Sequence, residues 1–360
     1  MIDDHAHPFS LQGGPLDLAE LSLDVEPDPD GRRASLGPGR ATQELLTVAL
    51  ARRLGCDPGD VREARAEASG DWPAYVSGLF TDAGITELIM DPAYPPGVTD
   101  RLEEYAGLAG CPVHPILRIE PLIDGMMGEG AGPSEILDAM VEAMEDAASR
   151  GFVGFKTIVA YRTGLAIDPV VDLIEAERSL RTNATVRRRG KAFRDFALRR
   201  ALAVAADLGL PFQIHTGFGD SEIRLAEANP LLLEELLRSP EGAAARIVLI
   251  HGSFPWLTEL AFLALTKPNV WADVSLFNLF APLTAADHLL RLIDLAPAGK
   301  VLMGTDGHHE PELFWFGALV LQQAWEQVRV KLAAGGARAS WIDRIERAMF
   351  EENARALYGL

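Results

Sequence analysis

The sequence is poor in sulfur and unbalanced in charge. Two cysteines, Cys56 and Cys111, stand among 360 residues, too few for a disulfide framework. Each reads as a small buried or partly buried apolar residue rather than a nucleophile, and a reducing cytoplasm is the expected compartment. Lysine and arginine number 33 against 52 aspartates and glutamates, a net charge of −19. That sign is wrong for neutralising phosphates or anionic lipid, so neither nucleic acid nor membrane is an expected partner. No run of about 18 apolar residues occurs, so no membrane-spanning helix is expected. The opening MIDDHAHPFS lacks a basic stretch followed by an apolar one and does not read as a secretory signal. No internal repeat or low-complexity tract stands out.

What is present is ordinary globular material, 48% apolar and 24% charged, enough to bury a sizeable core. Eight short apolar runs read as strands: residues 1–7, 85–91, 112–120, 152–158, 211–216, 246–251, 269–275 and 300–306. Most are nearly continuous in apolar character, as strands buried on both faces are. Helical patterns lie between them, at 134–150 with Ser134 as N-cap, 191–208 ending at Gly209, 230–238, 285–295 and 315–334. Alternating strands and helices predict parallel βαβ units. Eight of them predict a distorted (β/α)8 TIM barrel, a single domain over 1–360. Two stretches exceed what one crossover needs. Residues 8–83 predict an insertion with helical segments at the barrel rim, with a Pro/Gly-rich loop at 25–39. Residues 159–190 follow the fourth strand and lead into a basic cluster, Arg187, Arg188, Arg189 and Lys191, which reads as a solvated helix face.

The chemistry-bearing residues gather at strand ends. His5 and His7 are two apart on the first strand and therefore share a face. Lys156 lies near the end of the fourth strand, His215 ends the fifth, His251 the sixth and Asp306 the eighth. In a (β/α)8 barrel the C-terminal strand ends converge on one site, and three or four nitrogen and oxygen ligands with an open position suit a catalytic divalent metal. A protonated lysine repels a cation, so Lys156 counts as a ligand only if carboxylated. Of the remaining histidines, His114 reads as structural, His288 as an exposed helix residue, and His308, ahead of His309, as able to reach the site. Arg118 and Glu120 end the third strand. Tyr161 and Arg162 follow the fourth, where an arginine can grip a substrate carboxylate bidentately. Trp72, Phe218, Phe254, Trp256 and Phe277 are candidates for an apolar wall.

With these residues in hand, the chain resembles the amidohydrolase superfamily, in its amidohydrolase-related (amidohydrolase 2) family and FluG-type branch. The resemblance rests on residues 2–8 (IDDHAHP), 154–165 (GFKTIVAYRTGL), 210–220 (LPFQIHTGFGD), 228–231, 247–255 (IVLIHGSFP), 300–308 (KVLMGTDGH) and 352–358. It implies a metal-dependent hydrolase holding one or two divalent ions, Zn2+ first, with Mn2+ or another ion as alternatives. It implies His5, His7, His215 and Asp306 as main ligands, with Asp306 as general base and acid. His251 would ligate a second ion or polarise the substrate carbonyl. The expected reaction is hydrolysis of a carbon–nitrogen bond in a small carboxylate-bearing molecule, such as a γ-glutamyl amide. The alternatives are a metal-dependent decarboxylase, or a non-catalytic partner of a glutamine-synthetase-like protein. A functional link to such an enzyme is expected, and the family's barrels often pair, so a homo-oligomer is compatible. Two departures accompany the resemblance. The histidine pair lies very early, so the first strand is expected to be short. In addition, Met90-Asp91-Pro92-Ala93-Tyr94 stands where an Asp-x-Gly-like turn is expected.

Overall fold

The computed structural model describes residues 1–16, 40–93, 101–180 and 190–360. The loop read at 25–39, Tyr94 and the Arg187–Arg189 cluster lie outside these residues. Eight parallel strands follow one another around a barrel in chain order: β1 (Ile2–Ala6), β2 (Glu87–Met90), β3 (Val113–Arg118), β4 (Gly154–Thr157), β5 (Phe212–His215), β6 (Ile247–Ile250), β7 (Val270–Asp273) and β8 (Val301–Leu302). Each is shorter than the apolar run that announced it. Asp91, His251 and Asp306 at the run ends have left the ladder, whereas His215 stays in it.

The gap between β8 and β1 is bridged irregularly. Asp4 N donates to Met303 O (2.9 Å), Asp306 N to His5 O (2.8 Å) and His7 N to Gly307 O (2.8 Å). A bulge on β1 shifts its register against β2 between Asp3 and Ala6. An extra residue in one strand re-aims the side chains that follow, and here those side chains are His5 and His7. The strand read to Asp306 stops at Leu302 because the chain must leave regular pairing there, with Asp306 at φ 57°.

Ile2, Ile89, Ile116, Val248, Ile250 and Leu302 pack with Ala354, Leu357 and Tyr358 in a distinct core cluster inside the barrel. Each isoleucine, leucine or valine among them contributes about 1.5–3 kcal/mol on full burial. The larger core lies between strands and helices, with Phe155, Phe212, Phe193 and Trp325 fully buried.

Several helix boundaries differ from the sequence reading. The helix read from Ser134 spans Pro133–Ser149, with Gly132 before it and no side-chain cap; proline at the first position supplies the preset φ instead. The helix read from Trp315 begins at Pro311 for the same reason. Residues 230–238 divide into a 3-10 turn, Pro230–Leu233, and a helix, Glu234–Arg238. Gly209 ends helix Lys191–Leu208 in the left-handed region, φ 68°, as its sequence suggests. Glu120 opens helix Glu120–Glu129 instead of ending β3. Of that cluster Lys191 is described, partly exposed, with its Nζ on Asp195 (2.5 Å) and the Ala166 carbonyl (2.7 Å).

Within 8–83, helices Ala41–Leu54, Val61–Ala68 and Trp72–Asp82 are described. The last leads into β2 and packs on helices Leu102–Ala109 and Pro311–Ala334. Among the described residues no helix is long and apolar enough to cross a membrane.

Candidate metal centre

Histidines from β1, β5 and the end of β6 meet Asp306 at the C-terminal mouth of the barrel. His5 Nε2 lies 3.4 Å and His7 Nε2 3.5 Å from Asp306 Oδ1. One ligand atom from each of these three buried residues falls within 4.8 Å of the others. The rings of His5 and His251 are 5.4 Å apart, those of His215 and His251 4.5 Å, and Tyr161 lies 4.6 Å from His215. Lys156 Nζ completes the group, 2.8 Å from His5 Nε2 and 3.5 Å from His7 Nε2.

Two of the imidazoles have their tautomer set by their neighbours. His7 Nδ1 lies 3.1 Å from the Asp91 carbonyl, which can only accept, so Nδ1 carries the hydrogen and Nε2 is bare. The Ser275 hydroxyl gives its hydrogen to Asp273 Oδ1. Its oxygen then accepts from His251 Nδ1 at 2.9 Å, again leaving Nε2 bare. Such outer partners orient ligating imidazoles. Asp273 also accepts from the backbone N–H of His251 (3.0 Å) and of Ser275 (3.1 Å). His251 and Asp306 both adopt positive φ, 70° and 57°, a cost of about 1–3 kcal/mol each that persists where the surroundings enforce it.

Burial dominates the electrostatics. It pushes His5, His7, His215 and His251 well below the usual imidazole range, with Lys156 adding to the effect on each. Burial also raises the Asp306 carboxyl, against the pull of Lys156. The Lys156 amine is lowered by burial to about 8, opposed chiefly by Asp91. Burial lifts Asp273 to about 6 and Asp3 to about 7.

This donor set fits a divalent cation. His215 Nε2 and Asp306 Oδ1 are buried without a hydrogen-bond partner among the described residues, a costly arrangement unless something else satisfies them. Neutral imidazole nitrogens and a carboxylate are the atoms zinc and its neighbours take.

The remaining predicted residues divide between this centre and places away from it. Arg118 Nε lies on Asp91 Oδ2 at 2.8 Å and Nη2 at 2.5 Å, and Lys156 Nζ shares that oxygen at 3.1 Å. Arg162 turns to Asp124 (2.8 Å), where Arg194 joins it (2.6 Å). The Tyr161 hydroxyl accepts from Asp220 N (3.1 Å). A Cβ on Gly219 would lie 1.9 Å from that hydroxyl, so only glycine lets the β5 loop pass over the tyrosine. His308 Nδ1 sits 2.7 Å from the Asp306 carbonyl. Phe218, Phe254, Phe277 and Phe280 form an aromatic cluster. Trp72 lies elsewhere, with its indole on the Ser10 carbonyl (3.1 Å). His114 binds Glu87 (2.8 Å), in keeping with a structural role. His288 is not exposed. It is half-buried, with ring centres 5.0 Å from Phe254 and 5.3 Å from Phe277.

Sequence reasoning missed Asp91, which holds Arg118, Lys156 and His7 together, and Asp273. Both are charged residues closing apolar strands, the same signal that exposed the ligands. It also missed Asp4, fully buried beside the Tyr358 hydroxyl, and Arg65, buried beyond the rim.

A family model described as amidohydrolase matches residues 2–360, and the chain belongs to that family, whose members are metal-dependent enzymes acting on small molecules. Protein fluG of Emericella nidulans is 27% identical over 377 residues, covering 93% of this chain and 43% of that protein. The chain thus spans less than half the length of this curated relative, and the likeness supports the FluG-type branch. A solved structure described as a metal-dependent hydrolase from Lactobacillus casei is 26% identical, with TM-score 0.87, covering 99% of this chain and 94% of that one. Uronate isomerase from Thermotoga maritima, 16% identical with TM-score 0.71 over 99% and 94% of the two chains, shares the fold.

Proposed function

We propose that the protein hydrolyses a carbon–nitrogen bond in a small carboxylate-bearing substrate, with a γ-glutamyl amide as the leading candidate. The observation that carries this reading is the convergence of His5, His7 and Asp306 on one buried point beside the unpartnered His215 Nε2. His5, His7, His215 and Asp306 would hold a divalent ion, zinc first. When bound, such an ion lowers the pKa of a coordinated water and polarises a carbonyl.

The protein's own groups supply the remaining steps. Asp306 takes a proton from the attacking water and returns it to the leaving nitrogen, so the amide gains water and releases an amine. With Nδ1–H given to Ser275, the Nε2 of His251 is an acceptor, which suits a second cation better than a developing oxyanion. Lys156 would join the ligands only if carboxylated, and as an amine it is the partner of Asp91. Arg162, paired with Asp124 and about a third exposed at 32%, would turn from that partner to grip a substrate carboxylate. Tyr161, His308 and Arg118 complete the proposed substrate contacts. The FluG-type resemblance supports a functional link to a glutamine-synthetase-like enzyme.

The test is elemental analysis of wild type and His215→Ala purified without added metal, followed by amine release from a panel of γ-glutamyl amides. One or two equivalents of zinc or manganese in wild type, reduced in the variant, together with amine release, is the expected result. Wild type that takes up no metal even after reconstitution would remove the hydrolase reading. Metal uptake without turnover of any amide would remove the substrate class alone.

A further inference from the structure

The loop carrying Asp306 is gripped from outside the barrel. Asp306 and His309 both stand at positive φ, 57° and 56°, where a residue with a Cβ is uncommon. Backbone contacts fasten the loop to the chain after His7. His309 N donates to Pro8 O (3.0 Å) and Ser10 N to His309 O (2.7 Å), and Ser10 Oγ donates to the same carbonyl (2.9 Å).

A side-chain clamp begins at the next residue. Arg65 Nη2 donates to Glu310 Oε2 (2.9 Å) and Nε to Glu312 Oε1 (2.7 Å). Tyr75 adds a hydrogen bond to the same Glu312 oxygen (2.8 Å). Arg65 Nη1 reaches the carbonyl of Gly14. The guanidinium is 1% exposed and lies 4.9 Å from the Trp72 ring centre, and Trp72 in turn donates to Ser10 O. One side chain of helix Val61–Ala68 thus ties the segment that follows His7 to the segment that follows Asp306.

We propose that Arg65 is a positioning residue for the metal centre, holding Glu310 and Glu312 against residues 10–14 so that His7 and Asp306 keep the separation a cation requires. The proposal rests on the reading of His5, His7 and Asp306 as ligands. It gives the 8–83 insertion a task distinct from covering the site. The task needs arginine. A rigid fork can serve two carboxylates and a carbonyl in three directions, whereas a lysine is a point charge on a flexible stem. Arg65→Lys keeps the charge and loses the span.

The experiment uses the full chain as wild type, Arg65→Lys, Arg65→Met and Glu310→Gln, with Arg150→Lys, 60% exposed, as control. Zinc affinity is measured by competition with a chromophoric chelator. Melting of the metal-free protein and hydrogen exchange over residues 304–312 are measured in parallel. The expected result is a folded Arg65→Lys binding zinc roughly 10-fold or more weakly, with faster exchange over 304–312 and the control unchanged. A purely structural Arg65 would lower metal-free melting yet leave the zinc affinity of folded protein at the wild-type value, and that result overturns the proposal. If Arg65→Met does not fold, Arg65→Lys and Glu310→Gln decide the matter by the same criterion. Wild type that binds no zinc would overturn the ligand reading itself, and the proposal with it. Wild-type zinc affinity in every variant overturns the proposal alone.

Discussion

Gly307 offers a sharp test of how tightly the loop after Asp306 is packed. A Cβ added there would lie 2.4, 2.5 and 2.7 Å from three carbons of the Phe314 ring, where ordinary contact starts at 3.4 Å. About one ångström must therefore be found. Phe314 is fully buried, and its ring centre lies 5.3 Å from those of both Phe9 and Phe80, so it has little room to retreat. Gly307 is not among the glycines at positive φ, and crowding alone penalises Gly307→Ala. Overpacking of this kind costs about 1–3 kcal/mol. A chain of 360 residues loses roughly 1.3 °C per kcal/mol, less than the roughly 2–4 °C typical of 150–250 residues, so calorimetry should show Tm lower by roughly 1–4 °C. Combining Gly307→Ala with Phe314→Leu should recover part of that loss, with a coupling of about 0.5–3 kcal/mol in a double-mutant cycle. A single variant within about 0.5 kcal/mol of wild type, or strict additivity in the cycle, would refute the reasoning.

Three further outcomes are expected. Asp91→Ala leaves the buried Arg118 and Lys156 without their shared anion and should cost about 3–5 kcal/mol, read as a lower denaturation midpoint; a loss under about 1 kcal/mol, the worth of a surface pair, would contradict the buried-pair account. Tyr358→Phe removes the acceptor of Gln213 Nε2 (2.8 Å) inside the barrel and should cost about 1–3 kcal/mol in the same assay, whereas an unchanged midpoint would mean Gln213 is satisfied elsewhere. Burial pushes the Cys111 thiol from 9.0 up to about 12, so folded protein should resist alkylation there at pH 9 while unfolded protein reacts. Because the unfolded thiol ionises first, this group should subtract stability as pH rises above 9.0 toward about 12, and alkylation of Cys111 at the unfolded rate in native protein would contradict that shift.

Much of the barrel was legible because its strands are buried on both faces, so runs such as Ile247–Ile250 are wholly apolar. The ligands were legible for a related reason, since a histidine or aspartate closing such a run stands out against it. What sequence could not give was partnership across distance. Arg65 looks like one charge among many in Val61–Ala68, and only the fold brings Glu310 and Glu312 to it. His288 sits in a helix beside Asp287, and the phenylalanines that pack on it come from the segments after β6 and β7. Strand eight was read too long because apolar character persists through Met303 while regular pairing stops at Leu302. The β1 bulge that aims His5 and His7 leaves no compositional trace.

The irregular seam between β8 and β1 also bears on how the molecule is made. His5 and Asp306 are 301 positions apart and meet only across that seam. A ribosome adding about 5–20 residues per second needs roughly 15–60 seconds to cover the interval. During that time the side of β1 that Met303 and Asp306 will cover presents unpaired backbone, the kind of edge that recruits stray strands. The centre can form only after β8 and the segment behind it have closed on β1.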